Sequence, residues 1–235
     1  MWHPQAREFA SAGYRVILPD MRGHGQSPPG GEDVSISLMA DDVLALAQRL
    51  RLERFVLGGL SVGGVVAAQL AVDHPETLEG LLLAATRLDA DSSGEHQRRL
   101  SYADKIRREG LGADADAMLP RILTPETIAS RPELALQVRQ MIESTPLEGR
   151  VKTLLAMTNR TDLLGRLAKL KVPVLVIVGE EDVITPPSSA KAIHRRVEGA
   201  FLQEVVGASH LVNMEAPGVF NRAVLNWLAF AGLEP

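Results

Sequence analysis

The sequence predicts an α/β fold: a mostly parallel sheet with helices on both faces and a helical cap inserted into it. Two observations carry that expectation. Short runs of Val, Leu and Ile alternate with longer amphipathic stretches along most of the chain. Between about 89 and 150 the rhythm breaks, and helical patterns follow one another with no convincing strand. The core is therefore expected at 1–88 and 151–235, and the cap at 89–150.

The strand series opens at 14–19, YRVILP, and continues at 54–58, RFVLG, at 79–85, EGLLLAA, and at 172–178, VPVLVIV. A last strand is expected at 201–206, FLQEVV. Apolar on both faces and bounded by Gly, Pro or Asp, these runs have the character of strands buried inside a parallel sheet. Amphipathic stretches at 36–51, 62–73, 189–197 and 217–231 have the length of crossover helices, so the repeating unit is βαβ. Within the cap, helical patterns fall at 95–109, 113–119, 125–129 and 132–143. Pro120, Pro125, Pro132 and Pro146 lie at or near their ends, because proline lacks the amide that a helix interior needs.

Composition removes several classes of function. The 235 residues are 46% hydrophobic, enough for a sizeable buried core. A formal charge of -4 with no block of like charges gives no footprint for nucleic acid or an anionic membrane. With no cysteine, thiolate catalysis, disulfides and zinc–cysteine sites are excluded. The longest apolar stretch, 172–178, is far short of the roughly 20 residues that cross a bilayer. Arg7 and Glu8 stand where a signal peptide would be apolar, so a cytoplasmic location is expected.

The chemistry gathers at three strand ends. In VLGGLSVGG, residues 56–64, Ser61 lies between a strand and a helix with glycines at 59 and 63, the context in which G-x-S-x-G forms a nucleophile elbow. The sharp turn requires small residues two positions either side, lifts the hydroxyl clear of the sheet, and leaves the Val62 amide at a helix N-terminus to meet a developing oxyanion. Asp182, in VGEEDVITPP, follows a strand end and can orient a histidine; a solvated acidic turn and Asp89 as the acid are the alternatives. His210, in GASHLVNMEAP, lies between the last strand and the last helix, where an imidazole can exchange the Ser61 proton. His3, His24, His74, His96 and His194 occupy turns, surfaces or helix ends instead. Met118, Leu119, Ile122, Leu136, Met141, Ile142 and Met157 could line a pocket beneath the cap, and core packing accounts for them equally well.

Together with DMRGHGQS at 20–27, these motifs make the chain resemble the α/β-hydrolase superfamily, in its group of small esterases, enol-lactonases and cofactor-free haloperoxidase-like enzymes. The resemblance implies Ser61 as nucleophile, His210 as base, Asp182 as its orienting acid and the Val62 amide as one oxyanion donor. Asp20, Arg22, Gly23 and Gly25 match a loop whose role is architectural. An ester or lactone is the implied substrate, cleaved through an acyl-enzyme with no cofactor or metal. Perhydrolysis, carbon–carbon bond hydrolysis and acyl transfer use the same residues, and a binding protein without catalysis is the alternative from another class.

One departure from the pattern is expected to matter. The resemblance puts two or three strands ahead of the segment at 1–20, the third lying between the strands at 14–19 and 54–58 and its following loop supplying a second oxyanion amide. Met1 then corresponds to an internal methionine of a reading frame longer by roughly 25 to 40 residues, or the chain is a natural short variant. Either way a gap is expected beside 54–58, closed across about 4.8 Å on each side or left with unpaired backbone groups.

Overall fold

The computed structural model describes residues 1–31 and 34–235. Helix α1 (His3–Ser11) and α2 (Ile36–Arg49) precede a βαβ unit made of β1 (Phe55–Leu60), α3 (Val62–Asp73) and β2 (Leu78–Ala84). An all-helical stretch follows: α4 (Ser93–Ile122), α5 (Pro125–Ser130), α6 (Pro132–Glu143), α7 (Leu147–Thr158) and the short α8 (Leu164–Leu167). The chain then returns to the sheet through β3 (Val174–Gly179), α9 (Pro187–Arg196), β4 (Phe201–Val205), α10 (Val212–Glu215) and α11 (Pro217–Phe230). The four strands are parallel and lie in the order β1-β2-β3-β4.

The sheet is buried on both faces, and strand periodicity divides its side chains between them. Leu81 and Leu83 of β2, with Val174, Val176 and Val178 of β3, join a core completed by α2, α3 and α9. Their neighbours Leu82, Ala84, Leu175 and Ile177 face the opposite way, toward Phe220, Val224, Trp227 and Leu228 of α11. Helix α1 docks on this second face through Gln5, which is buried and donates from Nε2 to the Asn213 carbonyl and to Asn221 Oδ1, each at 3.0 Å. Within the helical stretch, α4 and α7 share a smaller core of Ala103, Ile106, Val151 and Leu154. The two expected helices at 95–109 and 113–119 run as one element interrupted at Gly110, whose φ of 80° breaks the helical path. Among the described residues, no helix is long and apolar enough to cross a membrane.

The expected strand at 14–19 is corrected by the structure. Residues 14–20 form no strand, and residues 15–19 take part in no backbone–backbone hydrogen bond among the described residues. A strand exists only with a neighbour to pair, and the sheet ends at β1, which pairs with β2 alone. Leu18 is 43% exposed and Val56 of β1 is 36% exposed, so apolar side chains reach solvent where a ladder would have covered them. The segment is held instead at its far end: Arg22 forks onto Asp42 of α2 at 2.6 and 2.5 Å, and Asp20 Oδ2 accepts the Gln26 amide at 3.0 Å.

Unladdered backbone exchanges its amide hydrogens readily. Native-state hydrogen exchange should find Val16, Ile17 and Leu18 replaced orders of magnitude faster than Leu81, Leu82 and Leu83. Equal protection of the two sets would show that 14–19 pairs after all.

Candidate active site

Ser61 occupies the turn between β1 and α3 with φ 56° and ψ −119°, a left-handed-side conformation that costs a non-glycine residue about 1–3 kcal/mol. The turn is clamped on both sides. Ser61 N–H donates to the Ala84 carbonyl of β2 at 2.9 Å, and the Ser61 carbonyl accepts from Thr86 Oγ1 at 2.8 Å and from the Val65 amide at 3.1 Å. Val62 is the first residue of α3, so its amide has no partner within the helix and lies at the positive end of the helix dipole.

The glycines around Ser61 do not share one role. A Cβ on Gly59 would lie 2.1 Å from the Gly63 carbonyl oxygen, so the tight turn excludes any side chain there. The same reasoning fails at Gly63, where a Cβ meets nothing within 4 Å. The close approach on the helix side belongs to Gly64, whose Cβ would stand 2.8 Å from two carbons of Thr86. Helix α3 leans on the residues after β2 at Gly64, one position later than the motif suggests.

Asp182 follows β3 and turns inward, 2% exposed, unlike the exposed Glu180 and Glu181 beside it. All of its acceptor capacity is directed. Oδ1 accepts the amides of Ile184 and Thr185 at 2.8 and 2.9 Å, and Oδ2 accepts Thr185 Oγ1 at 2.7 Å and lies 2.9 Å from His210 Nδ1. Burial pushes the Asp182 carboxyl up, but the hydrogen bond and charge of His210 and the two bonds from Thr185 outweigh it, and the net displacement is downward. Asp89, the other acid considered, is committed elsewhere: its carboxylate stands 3.3 Å from Arg87 and is half exposed.

His210 is buried, and its loop reaches Asp182 by crossing the end of β3. The crossing depends on Gly179, where a Cβ would fall 2.2 Å from the Ser209 carbonyl oxygen. Glu180 N–H donates to the Val205 carbonyl and Glu181 N–H to the Ala208 carbonyl, which fasten the two loops together. An imidazole whose Nδ1 faces a carboxylate in this way can carry a proton there and keep Nε2 free as an acceptor. Ser61, Asp182 and His210 thus lie in the loops after β1, β3 and β4, all at the carboxyl end of one parallel sheet. Asp182 and His210 are in contact; the Ser61 hydroxyl forms no hydrogen bond among the described residues.

Two participants escape a reading of the sequence alone. Thr185 gives Asp182 both an amide and a hydroxyl. Glu215, buried, accepts the Ser209 amide with Oε2 at 2.7 Å and the Thr124 amide with Oε1 at 2.8 Å. The signal for Thr185 was its place three residues after the acid, the spacing of a side-chain-capped turn; nothing local marks Glu215. Of the apolar residues considered for a pocket, Ile122 and Met157 are buried in the two sheet cores, and Leu136 is 55% exposed.

The depressed Asp182 carboxyl makes part of the fold's stability depend on pH. Its bonds stabilise the folded state above the unfolded carboxyl value of about 4 and are lost as pH falls through the lower folded value. In urea titrations the gap in midpoint between wild type and Asp182→Asn should be widest above about pH 5 and shrink on further acidification. A gap constant with pH would contradict this.

Comparison with known proteins agrees with the fold. The profile of the family described as alpha/beta hydrolase fold matches residues 1–217. The chain is 31% identical over 224 residues to 3-oxoadipate enol-lactonase 2 of Acinetobacter baylyi, covering 95% of this chain and 82% of that one. Among solved structures, a thermophilic esterase from Thermogutta terrifontis superposes with a TM-score of 0.94 at 37% identity, covering 98% of this chain and 85% of the esterase. The enol-lactonase from Burkholderia xenovorans LB400 superposes with a TM-score of 0.90 at 32% identity, covering 97% and 85%. With a parallel sheet, a serine elbow at the end of its first strand and relatives of this kind, the chain belongs to the alpha/beta hydrolase fold family and is an enzyme of that family.

Proposed function

We propose that the enzyme hydrolyses carboxylic esters or lactones through an acyl-enzyme formed on Ser61, with His210 as general base and Asp182 as the group that orients it. The observation that carries this reading is the buried 2.9 Å contact between His210 Nδ1 and Asp182, in loops at the same carboxyl end of the sheet as the Ser61 elbow. Similarity to an esterase and to enol-lactonases supports the substrate class.

In the acylation step Ser61 Oγ attacks the carbonyl carbon while His210 Nε2 takes its proton. The carbonyl oxygen gathers negative charge near the Val62 amide, where the N-terminus of α3 favours an anion. His210, now an imidazolium held by the ionised Asp182, returns the proton to the leaving alkoxide. For a lactone the leaving oxygen stays tethered to the acyl group. Water then repeats the sequence, with His210 activating it and Ser61 leaving as the alcohol. Asp182 fixes the tautomer throughout and remains ionised, in keeping with its depressed carboxyl.

The helices α4 to α7 serve in this reading as the cap over the strand ends. Support comes from the Leu211 amide, which donates to the Ile122 carbonyl at 3.1 Å and joins the residue after His210 to the end of α4.

Hydrolysis of a chain-length series of p-nitrophenyl esters and of small lactones tests the proposal. Ser61→Ala should lower kcat by about 10⁵-fold or more, and Asp182→Asn by about 10³- to 10⁴-fold with the fold intact. Undiminished hydrolysis by Ser61→Ala would rule out the nucleophile, and a wild type inert toward both series would rule out the substrate class.

A further inference from the structure

We infer that Glu215 is a positioning residue which sets the place of His210 and makes that place depend on the docking of the helical segment α4–α5. The inference rests on His210 acting as the base proposed above. His210 is bracketed by two backbone amides whose hydrogen bonds lead, one through the Glu215 side chain and one directly, to Thr124 and Ile122 of the helical segment. On one side, the Ser209 amide donates to Glu215 Oε2 at 2.7 Å, and Glu215 Oε1 accepts the Thr124 amide at 2.8 Å. On the other, the Leu211 amide donates directly to the Ile122 carbonyl at 3.1 Å. Residues 122–124, at the junction of α4 and α5, therefore hold the backbone immediately before and after the imidazole.

The chemistry of the carboxylate fits this task better than that of a neutral side chain. Glu215 is buried, and among the described residues its carboxylate pairs with no Lys, Arg or His side chain. Arg131 comes near but donates to the Glu215 carbonyl, at 2.9 Å, and to Thr127 Oγ1. Carboxyl oxygens buried without a counter-ion must be satisfied by directed hydrogen bonds. Here both oxygens act as acceptors for backbone amides that have no other partner among the described residues, one on the histidine loop and one on the helical segment. Glutamine has the same shape and only one acceptor, so its NH₂ would face one of the two N–H groups. The Glu215 side chain is thus a joint that needs an acceptor oxygen at each of two amides, and the two parts it joins meet next to the base.

The other end of the joint can be cut without touching Glu215. Thr124 has φ −69°, which proline shares, and Leu123 before it is extended at φ −123°, ψ 150°, the conformation that a residue preceding proline prefers. Thr124→Pro therefore removes the amide donor at a compatible backbone position. Thr124→Ala keeps that amide and loses the hydroxyl that caps α5, so it is the reference that isolates the hydrogen bond.

Steady-state ester hydrolysis is measured for wild type, Glu215→Gln, Thr124→Ala and Thr124→Pro, each normalised to active folded protein by circular dichroism. The low-field proton resonance of His210 Nδ1 is recorded for the same four proteins. Glu215→Gln should lower kcat by about 10- to 100-fold with KM within about twofold, the size of effect expected when a reacting group is displaced by about 1 Å. Its Nδ1 resonance should broaden or move. Thr124→Pro should fall below Thr124→Ala in kcat by several-fold and show the same displaced resonance. An unchanged resonance and kcat in Glu215→Gln, beside an active wild type, would overturn this inference alone. Equal kcat in Thr124→Pro and Thr124→Ala would overturn the link to the helical segment. A wild type with a normal resonance but no hydrolysis would overturn the catalytic reading beneath it. Should Glu215→Gln fail to fold, the Thr124 pair carries the test.

Discussion

A carboxylate removed from water must be given donors in place of the water it loses, and the loops at the carboxyl end of this sheet are built around doing so for Asp182. Two amides and a hydroxyl come from the three residues that follow it, so most of the solvation is local and survives small movements elsewhere. The remaining place on Oδ2 is given to His210, which arrives from the far edge of the sheet. That last contact is the demanding one. It requires the loop after β4 to fold back over β3, and this fold-back requires a residue without a side chain at 179.

The same requirement links parts of the molecule that are distant in sequence. Once the histidine loop crosses β3, its amides at 209 and 211 need acceptors outside the sheet ladder. Residues of the helical segment supply one through the Ile122 carbonyl, and Glu215 supplies the other. The buried carboxylates Asp182 and Glu215 thus both hold this loop, Glu215 through two backbone N–H groups and Asp182 through two backbone N–H groups, a hydroxyl and the imidazole. Ser61 is fixed differently, by strain and by the neighbouring strand: a positive φ, an amide bound to Ala84 and a carbonyl bound to Thr86 hold the elbow independently of the histidine loop. Nucleophile and base are therefore positioned by separate sets of bonds that meet only through the sheet.

How far the sequence reveals this depends on the range of the interaction concerned. The helices at 62–73 and 132–143 are legible to the residue, because local breaks bound them: the Ser61 turn before the first and Pro75 after it, and Pro132 at the start of the second. Ser61, Asp182 and His210 are legible because each sits where a strand ends and a helix follows. The run at 14–19 has the same local pattern as the true strands and forms none, since pairing is a property of the neighbour and not of the run. Gly63 and Gly64 look alike in sequence; only the position of Thr86, after the next strand, separates them. Helix α7, with Val151, Thr153, Leu154, Ala156 and Met157 buried, is missed because, unlike the equally buried α3, it follows no strand that would mark it as part of a βαβ unit. Glu215 is hidden because its partners lie 6 and 91 residues away.

If Ser61 is a nucleophile activated by the His210–Asp182 pair, a fluorophosphonate should phosphonylate it in the folded protein. The account predicts one covalent adduct by intact mass, mapped by peptide analysis to Ser61, absent in Ser61→Ala and formed far more slowly in Asp182→Asn. A folded wild-type protein that takes up no adduct, or that carries it on a residue other than Ser61, would contradict the account.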